Sequence, residues 1–214
     1  MPVYSYAVRL ISGYFNNTRK PEGILGRIMV SGMNRAHASV SDWGMDHLSS
    51  VCPAKIIDLG CGGGRNASRL LRRFPQAHLT ALDYSEIAVE KTKKVNRMEI
   101  RNKRCRVVKG NVSHLPFKEN SFDLATAFET VYFWAGPTES FQEVWRVLKP
   151  CGIFLIVNES DGKNQEDEKW VNIIDGLRIF DETQLSTFLK EAGFSEIIID
   201  RDEAKHRLCI MAVK

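Results

Sequence analysis

Residues 55–64 read Lys55-Ile56-Ile57-Asp58-Leu59-Gly60-Cys61-Gly62-Gly63-Gly64, and Arg65-Asn66-Ala67-Ser68-Arg69-Leu70-Leu71 follows with helical spacing. A short apolar run ends in an acid, four glycines crowd the next positions, and a helix begins. Strand, tight turn and helix in that order bring bare backbone N–H groups and a helix N-terminus beside whatever binds there. The alternative is a loop that merely needs positive φ angles. The context, more than the glycine count, favours a binding turn.

Working outward, Ala77 to Leu82 reads as a second strand ending at Asp83-Tyr84-Ser85. An acid at that place in a doubly wound fold accepts hydrogen bonds from ribose hydroxyls. Ser85 is suited to cap the helix starting near Glu86. Arg104 to Val108 reads as a third strand, Phe122 to Phe128 as a fourth and Ile153 to Val157 as a fifth. A helix starts at Pro137, and a Lys149-Pro150-Cys151-Gly152 turn opens the fifth strand. Trp170, Ile173, Ile174 and Leu177 recur at helical spacing, and another helix follows Asp181-Glu182-Thr183-Gln184 and ends near Ala192-Gly193. Glu196 to Ile199 and Leu208 to Val213 supply two last strands.

Asp58, Gly60, Gly62 and Gly64 match, position by position, the Asp/Glu-x-Gly-x-Gly-x-Gly motif of the class I (Rossmann-like) S-adenosylmethionine-dependent methyltransferases, which the chain resembles over residues 55–160 by motif and to residue 214 by element order. A nicotinamide fingerprint would need glycine where Arg65 stands. The resemblance, to the small-molecule branch of the family, implies an α/β three-layer sandwich. Its sheet would be mostly parallel and seven-stranded, in the order 3-2-1-4-5-7-6 with the last strand antiparallel, preceded by an N-terminal helical cap. It implies S-adenosyl-L-methionine as cofactor and S-adenosyl-L-homocysteine as product. The implied cofactor-binding residues are Asp58, Gly60, Cys61, Gly62, Gly64, Asp83, Tyr84, Ser85, Asn111, Val112 and Glu129. Asn111 stands where the family commonly has Asp against the adenine amino group; its amide oxygen is still an acceptor.

A chain of 214 residues, 43% hydrophobic and 26% charged, reads as one soluble domain, residues 1–50 a cap or lid and 51–214 a cofactor-binding core. No run approaches a membrane span, and Met1-Pro2-Val3-Tyr4-Ser5 lacks the features of a signal peptide, so a cytoplasmic monomer or homodimer is expected. The five scattered cysteines form neither a disulfide framework nor a C-x-x-C site, and no metal is expected. Cys105, Cys151 and Cys209 fall in apolar runs and are expected to be buried thiols. Residues 91–106 carry eight basic side chains against one acid, Glu99, while the chain as a whole is only +4. That face reads as solvated surface, with an RNA or anionic-membrane contact as the sharper alternative. Nucleic acid is not the expected partner.

The first fifty residues look helical. Tyr6, Leu10, Tyr14 and Phe15 form one apolar stripe, Ile24 to Met33 another, and a third helix spans about Asn34 to Leu48, broken near Ser41 and Gly44. In the family such a region often covers the site. Met33, His37, Ser41 and Trp43 are its candidates, His37 as proton acceptor, substrate ligand or structural hydrogen-bonding group.

Glu129-Thr130-Val131-Tyr132-Phe133-Trp134 sits at the carboxyl end of the fourth strand, where a crevice forms. Three aromatics and an acid there suit either a substrate pocket or a plug of the core. The expected reaction is in-line attack of a small-molecule nucleophile on the cofactor's methyl carbon. The sulfonium already supplies the leaving group, so positioning and dehydration carry much of the rate. His37, Glu129 and Tyr132 are the catalytic candidates. RNA or protein methylation, and a non-catalytic cofactor-binding partner protein, are the alternatives.

Overall fold

In the computed structural model, residues 36–214 are described, together with Gly23 and Gly32. Tyr6, Tyr14, Met33 and the first two helical stripes lie outside the described residues.

β1 (Lys55–Leu59) is buried from Ile56 to Leu59, as the centre of a parallel sheet requires. β2 (His78–Asp83) and β3 (Cys105–Lys109) stack to one side of it, β4 (Phe122–Phe128) and β5 (Leu148–Asn158) to the other. β7 (Arg207–Val213) runs antiparallel to both β5 and the edge strand β6 (Glu196–Asp202). The order is 3-2-1-4-5-7-6, as the resemblance implied. Right-handed crossovers need helices between parallel strands: α2 (Arg65–Arg73) after β1, α3 (Glu86–Val95) and the short α4 (Arg97–Arg101) after β2, and α5 (Pro137–Val147) after β4. α1 (Ala38–Asp46) precedes the sheet, and α6 (Asp167–Ile173) and α7 (Glu182–Ala192) lie between β5 and β6. Asp181 and Gln184 close a reciprocal capping box on α7, which fixes its start.

Strand alternation divides the core between the two sheet faces. Phe154 and Ile156 of β5 join the α5–α7 side, whereas Leu155 and Val157 join the side covered by Val40, Met45 and Leu48, with Leu70 and Leu71 of α2.

Four expectations need correction. α1 runs unbroken through Ser41 and Gly44, because a Cβ on Gly44 would stand 2.3 Å from Val157 Cγ2; the glycine lets the helix lie against β5 rather than ending it. α6 stops at Ile173, and Ile174 and Leu177 are buried from the loop beyond it. Cys151 is exposed at φ +61, since it occupies the turn where β5 slips register against β4. Arg104 is anchored to structure, donating to the carbonyls of Leu71 (2.7 Å) and Pro75 and pairing with Glu99 at 3.0 Å. The exposed cations Lys94, Arg97, Arg101 and Lys103 surround the lead into the N-terminal end of β3.

Candidate active site

The crevice rule is obeyed: a cavity opens at the carboxyl ends of β1, β2, β3 and β4, where Gly60, Asp83, Gly110 and Phe128 stand. Gly60, Gly62 and Gly64 adopt φ of +74, +50 and +77, angles that strain any residue with a Cβ. Gly60 and Cys61 N–H groups both donate to the Leu82 carbonyl, at 2.8 and 3.0 Å, so the turn is strapped to the end of β2.

The turn is also held from behind, which the sequence reading missed. Thr92 Oγ1 donates to the Gly62 carbonyl at 2.9 Å, and Asn96 Nδ2 donates to the Gly64 carbonyl at 2.9 Å. Both side chains are buried. A Cβ on Gly64 would lie 2.8 Å from Thr92 Cα, and one on Gly60 would lie 2.5 Å from Thr130 Oγ1. Only glycine fits between those neighbours. The signal available in the sequence was two polar residues spaced i, i+4 on the face of α3 that also carries Ala88 and Val89.

Asp83, 6% exposed, lines the cavity. Its Oδ2 accepts from Gly62 N and its Oδ1 from Ser85 N, each at 2.9 Å. Burial raises its pKa, and the backbone hydrogen bonds from Ser85, Gly62 and Tyr84 only partly offset that. Tyr84, Asn111 and Val112 line the same cavity, as does Cys61, whose thiol burial pushes well above its ordinary pKa. Ser85 instead caps α3, accepting from Ala88 N. Asp58 lies beneath the turn, outside the cavity lining: Oδ1 accepts from Thr126 Oγ1 at 2.9 Å, Oδ2 has no partner, and burial lifts the pKa to about 7.

At the other end of the cavity wall stand Glu129, Thr130, Phe133 and Trp134. Trp134 is 5% exposed, stacked on Phe154 at 6.2 Å, and donates its indole N–H to Thr130 Oγ1 at 2.8 Å. It serves both core and wall. Tyr132 is buried behind the wall and outside the lining, its hydroxyl accepting from Ser160 N at 3.0 Å and donating weakly to Glu129 Oε1 at 3.5 Å. His37 precedes α1 without capping it; Nδ1 instead meets Glu159 Oε2 at 2.8 Å and Glu129 Oε2 at 3.5 Å. Burial pushes Glu129 up to about 7, against the attraction of His37 and with the repulsion of Glu159. Burial alone would lower the pKa of His37, but its bond to Glu159 and the charges of both carboxylates raise it. Glu159, just past the end of β5, is thereby brought to the site. Arg65 is drawn away from it, pairing with Asp42 at 2.8 Å and tying α2 to α1. Trp43, partly buried, packs against the core, edge-on to His47.

These residues fit an adenosyl cofactor: a glycine turn held open where side chains cannot go, a buried acid braced at the second strand end, and a half-exposed tyrosine beside it. Such a fold and site define a Rossmann-like cofactor-binding protein of the class I type. Residues 57–156 match the family described as "Methyltransferase domain". The chain belongs to the class I S-adenosylmethionine-dependent methyltransferases. It is 34% identical over 160 residues to cycloartenol-C-24-methyltransferase of Arabidopsis thaliana, covering 71% of this chain and 47% of that protein. It is 23% identical over 212 residues to the ubiquinone/menaquinone biosynthesis C-methyltransferase of Dinoroseobacter shibae, covering 88% and 84%. Among solved structures, human N-acetylserotonin methyltransferase in complex with S-adenosylmethionine superposes with a TM-score of 0.74 at 16% identity, covering 89% of this chain and 56% of that one. The chain spans less than half the length of the sterol-methylating relatives it matches.

Proposed function

We propose that this protein transfers a methyl group from S-adenosylmethionine to a small-molecule acceptor. The observation that carries the proposal is Asp83: a nearly fully buried carboxylate in the cavity wall, held by the backbone of the glycine turn it faces. Asp83 would hold the ribose hydroxyls, Tyr84, Asn111 and Val112 the adenine, and the Gly60–Gly63 turn the amino-acid tail. The bound cofactor supplies an electrophilic methyl on a sulfonium, which leaves as a neutral thioether. The protein's share is to align the acceptor nucleophile with that methyl and keep water out, with Phe133 and Trp134 as apolar wall. His37 and Glu129 are the wall groups able to engage the acceptor's polar end; Tyr132 acts on them from behind by fixing Glu129 and Ser160.

Support for a small acceptor comes from the relatives, whose names specify sterol and quinone C-methylation. It comes also from charge placement. No Lys or Arg is among the described residues that line the cavity, so its wall offers a polyanion no cationic groove. Among the described residues no helix is long and apolar enough to cross a membrane. Radiolabelled methyl transfer into lipid and polar metabolite extracts tests the proposal: label should enter an extractable small molecule with the wild-type chain and not with Asp83→Ala. Label appearing only in protein or RNA would contradict it.

A further inference from the structure

We propose that His37, Glu129 and Glu159 form a binding site for a first-row divalent cation at the mouth of the cavity, and that the methyl acceptor coordinates this cation through an oxygen. The second half rests on the function proposed above; the first does not. His37 comes from the start of α1, Glu129 from the end of β4 and Glu159 from the end of β5, 122 residues from His37. The paired ends of β4 and β5 and the helix laid on β5 bring the three side chains together, and one donor atom from each lies within 4.8 Å of the other two. Around an ion at ordinary metal–nitrogen and metal–oxygen distances, neighbouring donors stand about 3.0–3.5 Å apart. The separations from His37 Nδ1, 2.8 Å to Glu159 and 3.5 Å to Glu129, bracket that range.

Charge gives the independent reason. A single N–H at Nδ1 faces two carboxylate oxygens and can be donated fully to only one. Among the described residues neither Glu129 nor Glu159 has another ion-pair partner, and Arg207, which acts on Glu159 through charge alone, donates its own hydrogen bond to Ser39 Oγ. Among the described residues Glu129, its side chain 11% exposed, is therefore a carboxylate held out of water that shares one imidazole with Glu159. Its other oxygen is oriented by the Glu159 backbone N–H and the Tyr132 hydroxyl, an outer set of donors such as metal-binding carboxylates use. One imidazole with two carboxylates suits Mn2+, Fe2+ or Zn2+ better than Mg2+, and leaves coordination positions toward the cavity that His37 and Glu129 line. An acceptor hydroxyl or carbonyl bound there is fixed beside the methyl donor and polarised.

The test is calorimetric titration of the untagged full chain, stripped with chelator and dialysed, with Mn2+ and separately with Zn2+. About one ion per chain should bind, with Glu159→Gln and His37→Ala each weakening the affinity at least about tenfold. Glu196→Gln, an exposed carboxylate on β6, should leave it unchanged. Circular dichroism melting checks that each variant folds, and Glu159, half exposed, can be changed without opening the core. Binding of less than about a tenth of an ion per chain, or affinity unaltered in both site variants, overturns the cation site. S-adenosylhomocysteine titrated in chelator separates the two proposals. Retained adenosyl binding without ion binding sinks only the cation, and ion binding without adenosyl binding sinks the methyltransferase reading instead.

Discussion

Replacing Asp58 by asparagine should change how stability depends on pH, and by an amount the structure sets. The carboxylate is 2% exposed, has one donor in Thr126, and leaves Oδ2 without a partner. Burial raises its pKa from 3.8 to about 7. The folded state therefore holds the proton more tightly than the unfolded chain, so the wild type loses stability as pH rises from about 4 to about 7, and the loss levels off above that. Three units correspond to roughly 4 kcal/mol in full, of which about 2–3 kcal/mol falls between about pH 5 and pH 8. The amide of the Asp58→Asn variant does not titrate. The difference in urea-unfolding free energy between variant and wild type should thus shift in favour of the variant by about 2–3 kcal/mol across that interval, the constant cost of altering the Thr126 bond cancelling. A difference constant to within about 0.5 kcal/mol would show that Asp58 titrates normally, and the account of it as a buried acid beneath the turn would fall.

Asp83→Ala should weaken S-adenosylhomocysteine binding by roughly 2–3 kcal/mol, since a buried charged acceptor is lost; an unchanged dissociation constant by calorimetry removes the ribose role. Gly64→Ala adds a Cβ at φ +77 against Thr92, so thermal melting should show a loss of about 2 kcal/mol or more. Asn96→Leu, which removes the brace behind that turn together with the side chain's bond to the Thr92 carbonyl, should lower both stability and adenosyl affinity by about 1 kcal/mol, and normal affinity would mean the turn stands unaided. Gly44→Ala should cost about 1–3 kcal/mol by pressing on Val157, and Val157→Ala in the same chain should recover part of that; additive losses would refute the close approach of α1 to β5.

Much of the fold was legible because its signals are local. The acid before the glycine turn, the second acid ending β2, the Asp181–Gln184 cap and the apolar runs of β4 and β5 each announce themselves within a few residues. What sequence did not disclose depends on distant approach. Thr92 and Asn96 act on glycines 30 and 32 residues away, and Glu159 meets a histidine 122 residues away. Arg65 directly follows the glycine turn, yet its partner Asp42, 23 residues earlier, ties it to α1. Gly44 resembles a helix breaker unless Val157 is seen beside it, and Cys151 resembles a core thiol unless the register slip of β5 is known.

The most direct test of the central claim is calorimetric titration of the wild-type chain with S-adenosylhomocysteine, with NAD as the control. One adenosyl ligand per chain and no NAD binding is the predicted result. NAD binding, or no adenosyl binding either with or without divalent cation, would contradict the assignment of the glycine turn and Asp83 to this cofactor.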